Sequence, residues 1–223
     1  MLDVTSIFQS IDGEVNHFHQ GRMSTFIRLS TCNLQCTYCD TRHAWNPNTL
    51  MSVESVIAAV QQMEVPKVTI TGGEPLLQTN QGLQQLIERL SWMRYNVTIE
   101  TNGSLFIPPS LLGIRSVKFV MDYKLASSGM TYAMNLAIFE PLGIDDFVKF
   151  VICDEADFLE AVNIKNQLQQ TGCCATFAFS PIHGKFDPAK LVGLMRTHKQ
   201  HDAVLNLQLH KLIWPCVPAG EER

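Results

Sequence analysis

The sequence predicts an α/β fold in which mostly parallel strands form a partial, TIM-like barrel. Three observations carry that expectation. Short β-branched or aromatic runs recur along the 223 residues. Amphipathic stretches with helical spacing stand between many of them. The residues with unusual chemistry fall just after the runs, where parallel α/β folds gather their active sites.

Strands are expected over residues 25–29, 67–71, 96–100, 117–120, 147–152, 175–179 and 203–207, each rich in Val, Ile, Phe or Thr. Ser52 precedes Val53, Val56, Ile57 and Val60, a capped helical stripe. Leu83, Leu86, Ile87 and Leu90 repeat the stripe, Asp154 opens another through Phe158, Leu159 and Val162, and Asp187-Pro188 starts a fourth through Leu191, Leu194 and Met195. Strand, helix, strand in repeated order implies right-handed crossovers and a parallel sheet. Helices are too few for a full eightfold barrel, so an incomplete one is expected. The segment 127–143 reads as irregular but apolar enough to pack, and with no linker or repeat in view residues 1–223 are expected to form a single domain.

Composition sets limits on function. Hydrophobic residues make up 46% and charged residues 17%, with mean hydropathy +0.04, which excludes a disordered or fibrous chain. A net charge of −4 argues against a nucleic-acid surface or a polybasic membrane anchor. No apolar run reaches the roughly 18 residues of a membrane span, and Met1-Leu2-Asp3-Val4-Thr5 does not read as a secretory signal. The chain has 7 cysteines, three of them between Cys32 and Cys39. That is no disulfide framework. Reduced thiols in the cytoplasm, three of them committed to a metal or cluster, fit better.

Cys32-Asn33-Leu34-Gln35-Cys36-Thr37-Tyr38-Cys39 has the spacing C-x3-C-x2-C. A short loop of this kind folds three thiolates around one inorganic centre. Structural zinc takes four ligands, and His43 is the nearest fourth, though not at the spacing of a paired knuckle. Iron–sulfur clusters usually take four cysteines; a cluster held by three leaves one iron open to a ligand. Gly72-Gly73-Glu74-Pro75 follows the second strand, and its paired glycines let backbone approach a ligand closely. His17 and His19 read as an exposed loop, and Cys153, Cys173 and Cys174 as small core residues.

The cysteine loop and Gly-Gly-Glu-Pro together resemble the radical S-adenosylmethionine superfamily. The resemblance implies a 4Fe-4S cluster on Cys32, Cys36 and Cys39. Its open iron holds the amino and carboxylate groups of S-adenosylmethionine, which one electron cleaves to a hydrogen-abstracting 5′-deoxyadenosyl radical. Glu74 and nearby backbone would hold the methionine ammonium. Four further segments narrow the likeness: Ile11-Asp12-Gly13-Glu14, Asp40-Thr41 directly after the last cluster cysteine, Glu100-Thr101-Asn102-Gly103, and Gln208-Leu209-His210-Lys211-Leu212-Ile213-Trp214. Over nearly the whole chain these resemble the 7-carboxy-7-deazaguanine synthase family of queuosine and deazapurine biosynthesis.

That resemblance implies a radical core reduced in helices, a homodimer, and conversion of 6-carboxy-5,6,7,8-tetrahydropterin to 7-carboxy-7-deazaguanine with loss of ammonia. It implies Mg2+ on the Thr41 hydroxyl and a low-potential electron donor such as flavodoxin or ferredoxin. Tyr38, Cys39, Asp40, Gly73 and Asp122-Tyr123-Lys124 would line the cofactor, with Ser180, Pro181, Ile182 and His183 on its adenosine side. Asp12, Gly13, Glu14, Arg28, Thr71 and His210 would contact the pterin. The residue types suit these roles. Glu14 accepts paired hydrogen bonds from an aminopyrimidinone edge, Arg28 grips a carboxylate in a fork, and magnesium favours hard oxygen. The chain departs from the family at Asp12, where Gln is more usual, at Val15, where a second Gly is usual, and in its tail, Pro215-Cys216-Val217-Pro218-Ala219-Gly220. The alternatives are an activase that makes a glycyl radical on a partner protein, and a non-catalytic iron–sulfur or zinc binding module.

Overall fold

The computed structural model describes residues 1–215; the departure at 216–220 lies outside the described residues. Nine strands form one sheet. They are β1 (Leu2–Ile11), β2 (Met23–Leu29), β3 (Thr49–Met51), β4 (Lys67–Gly72), β5 (Asn96–Thr101), β6 (Val117–Tyr123), β7 (Phe147–Ile152), β8 (Thr176–Pro181) and β9 (Val204–Leu205). Their order is β3-β1-β2-β4-β5-β6-β7-β8-β9. From β2 onward every neighbouring pair is parallel, while β1 pairs antiparallel with both β2 and β3. Helices α1 (Val53–Gln62), α2 (Leu83–Trp92), α3 (Glu155–Gln170) and α4 (Pro188–Thr197) are followed by a short α5 (Leu209–Ile213). The sheet is mixed at one edge and parallel elsewhere, an open partial barrel as expected. No helix among the described residues is long and apolar enough to cross a membrane.

The seven expected strands and four expected helices are present, with differences that have physical reasons. β1 was not expected, because Thr5, Ser6, Gln9 and Ser10 interrupt its apolar residues; a bulge between Val4 and Ser6 breaks its alternation as well. The last strand shrinks from the expected 203–207 to two residues. Ser52, Asp154 and Asp187 cap α1, α3 and α4, accepting from the backbone N–H of Ser55, Asp157 and Ala189. In α3 the expected stripe is corrected: Leu159 is exposed, and the buried face runs through Phe158, Ala161, Ile164 and Leu168 with Asp157 and Lys165. Asp157 is held there by the N–H groups of Ser127 and Cys153, and Lys165 by Gln200 and Asp202. Between residues 126 and 138 the irregular segment makes three 3-10 turns.

Only one of the three cysteines expected in the core lies there: Cys173 is buried, Cys153 half-buried and Cys174 exposed. His17 faces Asp145 at 3.3 Å, and His19 takes a left-handed φ of 73°, so the two sit in a loop.

Alternation along the strands decides what the sheet encloses. Successive side chains point to opposite faces. Val68, Ile70, Val97, Ile99, Phe119, Met121, Val148, Phe150, Phe177 and Phe179 form one apolar cluster with Val56, Val60, Leu86, Leu90, Phe158 and Leu191 of the helices. Many of the intervening residues are polar, Val120, Val151 and Ala178 excepted: Arg28 is in register with Thr71, and Asp122 with Lys149. A parallel sheet covered on both faces by apolar layers would read as continuous Val, Ile and Leu. Here the inner face is polar and lines a cavity.

The two glycines at the end of β4, Gly72 and Gly73, have a different partner from the one expected. A Cβ on Gly72 would lie 2.0 Å from the Leu29 carbonyl oxygen, and one on Gly73 would lie 2.1 Å from that of Thr31. Gly72 also has φ +131°, a conformation side chains resist. The close approach is to the chain's own backbone. Gly73 N–H donates to Leu29 C=O and Glu74 N–H to Thr31 C=O, both at 2.9 Å, and Thr31 N–H donates to Ala44 C=O at 2.8 Å. The glycines thus stitch the start and end of the cysteine loop to β4. Gly73→Ala is expected to lower stability by about 1–3 kcal/mol, the range for overpacking, and to loosen the cysteine loop. Denaturant unfolding and amide exchange at residues 30–45 would check this.

Candidate active site

A cavity of about 500 Å3 opens at the carboxyl ends of β2 and β4 to β8. It brings together nearly all the residues singled out from sequence. Cys32, Cys36, Cys39, Tyr38, Asp40 and Thr41 line it from the loop after β2, and Gly73 from the turn after β4. Asp122 and Lys124 come from the end of β6, and Ser180, Pro181, Ile182 and His183 from the end of β8. Asp12, Gly13, Glu14, Arg28, Thr71 and His210 complete the opposite wall.

Two expected residues are elsewhere. The Glu74 side chain is fully buried, and its carboxylate accepts from Leu76 N–H at 2.9 Å, the Thr101 hydroxyl at 2.7 Å and Asn102 N–H at 2.6 Å. It locks the turn after β4 to the end of β5 and is not open to a methionine ammonium. Tyr123 points into the apolar layer, its ring 5.5 Å from Phe139 and 5.9 Å from Phe150. Strand alternation explains this, since Asp122 and Lys124 face inward and the residue between them faces out. Asp12 borders the cavity, but its carboxylate is held at 2.7 Å by Lys67 and at 2.9 Å by the Thr69 hydroxyl. Both members of the ion pair are buried, so Asp12 is an anchor for the pocket floor and not a free substrate contact.

The cysteine loop is braced from outside. The Thr37 hydroxyl donates to Ser127 C=O at 2.6 Å, Thr37 N–H to Ser128 C=O at 3.1 Å, and Arg42 to Thr37 C=O at 2.8 Å. Asn102 Nδ2 lies 3.7 Å from Cys32 Sγ, and Thr41 N–H 3.4 Å from Cys39 Sγ. Burial pushes the Cys32 and Cys36 thiols up; hydrogen bonds from Leu34 N–H and Asn102 draw Cys32 back toward the thiolate a metal requires, and the Lys124 ammonium does so for Cys36. Among the described residues no three Cys, His, Asp or Glu side chains are drawn together as closely as a single ion requires, the cysteine trio included. A cluster and a nucleoside cofactor fit the residues present. The Tyr38 hydroxyl is buried at the cavity wall with no hydrogen-bond partner among the described residues; a buried polar atom of this kind calls for a ligand.

Facing the cysteines is a buried ionic network. Asp122 accepts from Lys124 at 2.8 Å and from Lys149 at 3.3 Å, and Lys149 reaches Glu14 at 3.2 Å. Burial would lower the Lys149 and Lys124 pKa values, but Asp122 holds both ammonium groups charged and above their usual range. Glu14 also accepts from Gln208 at 2.7 Å and from Asn206. Of its two oxygens, Oε1 accepts from Gln208 alone among the described residues and retains a lone pair for a ligand. Burial lowers the His210 pKa, leaving the ring neutral at neutral pH. A Cβ on Gly13 would lie 2.3 Å from its Nδ1, so only glycine admits the ring there.

Lys149, Glu100, Asn102, Gln208 and Lys211 are cavity residues that sequence reasoning did not assign. For Lys149 the signal was present: a single charge inside the run Phe147-Val148-Lys149-Phe150 must face something polar. Burial pushes the Glu100 carboxyl up to about 8 against the opposing pull of Lys149. It accepts from the Thr71 hydroxyl at 3.0 Å and is poised to hold or release a proton near neutral pH.

A raised carboxyl has a definite sign in stability. Between the ordinary glutamate value and about 8 the unfolded chain has lost this proton and the folded chain keeps it, so stability falls as pH rises through that window. Glu100→Gln is expected to flatten the decline in Tm between pH 5 and 8. A decline as steep as in the parent chain would contradict the raised carboxyl.

Comparison with known proteins agrees with this geometry. Residues 26–164 match the radical SAM superfamily. The 7-carboxy-7-deazaguanine synthase of Clostridium acetobutylicum is 36% identical over 215 residues, 95% of each chain. That of Chlorobaculum tepidum is 35% identical over 218 residues, 96% of this chain and 94% of the relative. Among solved structures, Streptococcus suis SuiB bound to precursor peptide SuiA shares the fold with TM-score 0.57 at 18% identity, covering 79% of this chain and 46% of that one. A radical SAM methyltransferase from Sphaerobacter thermophilus also gives TM-score 0.57, at 14% identity, over 82% of this chain and 66% of that one. With three cysteines on one wall of a polar half-barrel and near-full-length relatives above 30% identity, the chain belongs to the radical SAM superfamily and, within it, to the 7-carboxy-7-deazaguanine synthase family of lyases.

Proposed function

We propose that the chain converts 6-carboxy-5,6,7,8-tetrahydropterin to 7-carboxy-7-deazaguanine and ammonia, with Mg2+, in queuosine or related deazapurine biosynthesis. One observation carries the reading: the cysteine trio, the Thr41 hydroxyl and the side chains of Glu14, Arg28, Thr71 and His210 line a single cavity. The names of the relatives support it. The conversion is redox-neutral overall, so an electron is needed only to activate the cofactor.

The radical superfamily works with a 4Fe-4S cluster and S-adenosylmethionine, which when bound supply a hydrogen-abstracting radical. In this reading Cys32, Cys36 and Cys39 hold the cluster. Tyr38, Asp40, Gly73, Asp122 and Lys124 border the cofactor, and Ser180 to His183 its adenosine side. Arg28 binds the pterin carboxylate in a fork, and Glu14 accepts from the aminopyrimidinone edge through its remaining lone pair. Neutral His210 closes the pocket beside Gly13, and Thr71 hydrogen-bonds the substrate from the floor. Thr41 offers a hard oxygen to magnesium, leaving the metal's other positions to substrate oxygens and water. The walls exclude water and stray hydrogen donors. Residues 1–223 act as a single domain in a cytoplasmic homodimer supplied by a flavodoxin- or ferredoxin-like donor, without direct contact to nucleic acid or membrane.

The test is an anaerobic assay of cluster-reconstituted protein with S-adenosylmethionine, a reductant, magnesium and the carboxytetrahydropterin. Formation of 7-carboxy-7-deazaguanine is expected. Cofactor cleavage without that product would overturn the reading in favour of another radical enzyme, and a colourless protein taking only zinc would point to a binding module. Cys36→Ala is expected to abolish the iron chromophore and all activity. Thr41→Ala should keep the chromophore while raising the magnesium concentration needed for half-maximal rate; an unaltered magnesium response would remove Thr41 from the metal.

A further inference from the structure

We propose that Lys211 is a positioning residue: its ion pair with Asp40 holds the C-terminal wall of the cavity, residues 206–214, against the loop that carries Asp40 and Thr41. The inference rests on the functional reading above for what that wall encloses. Nothing in α5 keeps this wall in place by itself. The helix has five residues, none of them buried, and Leu212 and Ile213 face solvent. Helices this short are unstable without tertiary ties.

The ties are unequally placed. On the β1 side, Leu209 N–H donates to Gly13 C=O at 3.1 Å, Gln208 Nε2 to Glu14 at 2.7 Å, and Gln20 Nε2 to Leu207 C=O at 2.7 Å. Asn206, at the start of the wall, is tied to β8 by its N–H to Phe179 C=O at 2.8 Å and its Nδ2 to Ser180 Oγ at 3.0 Å, so α5 itself is held from the β1 side. Across the cavity, Lys211 Nζ lies 2.5 Å from Asp40 Oδ2, joining residues 171 apart in sequence. The other oxygen of that carboxylate, Oδ1, accepts from the Thr41 hydroxyl at 3.0 Å. With its proton directed to Asp40, the hydroxyl keeps its lone pairs for a hard cation. Lys211 therefore fixes two features at once: the orientation of the Thr41 oxygen, through Asp40, and the placement of His210, its immediate neighbour on the cavity wall.

The test compares Lys211→Met and Lys211→Arg with the parent chain, each reconstituted anaerobically. Hydrogen exchange without pterin is expected to quicken in Lys211→Met at the amides of Leu209, Lys211 and Trp214, which bond to Gly13, Gln208 and His210. With pterin, KM should rise about fivefold, the fold-change of a partly exposed ion pair, while kcat changes less. Arginine should restore both. Unchanged exchange, unchanged KM or failure of arginine to rescue would each overturn the proposal. The readings fail separately: a parent chain that makes no deazaguanine defeats the proposed reaction, while the exchange comparison still decides whether Lys211 holds the wall.

Discussion

A half-buried carboxylate between two buried ammonium groups organises the interior of this half-barrel. Asp122 faces Lys124 and Lys149 from the inner side of the sheet, and Lys149 passes the contact on to Glu14. Buried ion pairs contribute little net stability, because desolvation offsets most of the attraction, but loss of one partner strands a charge and costs about 3–5 kcal/mol. The network therefore specifies an arrangement. It ties the end of β6 to β7, and β7 to the loop after β1. Through Asn206 and Gln208 it reaches the segment after β9. Four stretches distant in sequence meet at one polar face, and the cavity is the space they leave.

The same face explains which parts of the molecule were legible in sequence. Strands and helices of the parallel portion follow from periodicity, since Val68, Ile70, Val97 and Ile99 alternate with threonines and Glu100. The cysteine spacing marked the loop after β2, and the clustering of unusual residues at strand ends located the cavity. What stayed hidden depends on three-dimensional pairing. β1 could not be seen because its bulge and its serines break the alternation. Glu74 and Tyr123 belong to recognisable motifs, yet one carboxylate is enclosed by Leu76, Thr101 and Asn102 and one ring faces the apolar layer. Motif membership does not say which way a side chain points. Lys211 carried no visible signal, because its partner lies on a loop 171 residues away.

The glycine pair at the end of β4 shows how one motif serves architecture and chemistry together. Gly72 and Gly73 are excluded from having side chains by the Leu29 and Thr31 carbonyls, and the contact fixes where the cysteine loop leaves β2. Glu74, next in line, reaches across to the N–H of Asn102, whose side-chain amide in turn approaches Cys32 Sγ. The turn therefore shapes the thiol environment through backbone packing and a second residue, without itself presenting a carboxylate to the cavity.

Asp12 carries the same logic to the substrate side. An amide at this position would offer a donor and an acceptor to a heterocycle edge, whereas a carboxylate only accepts. Lys67, at the start of β4, supplies the missing positive charge at 2.7 Å, and with Thr69 it draws the carboxylate to the pocket floor. A buried aspartate is tolerable only with such a partner, so the two residues are interdependent. The carboxylate keeps the floor rigid: Glu14 N–H donates to Asp12 at 3.3 Å. In the proposed reaction, recognition of the heterocycle edge would then fall more heavily on Glu14. The placement of Glu14 depends on Lys149 and on the C-terminal segment, and this returns the shape of the pocket floor to the network around Asp122.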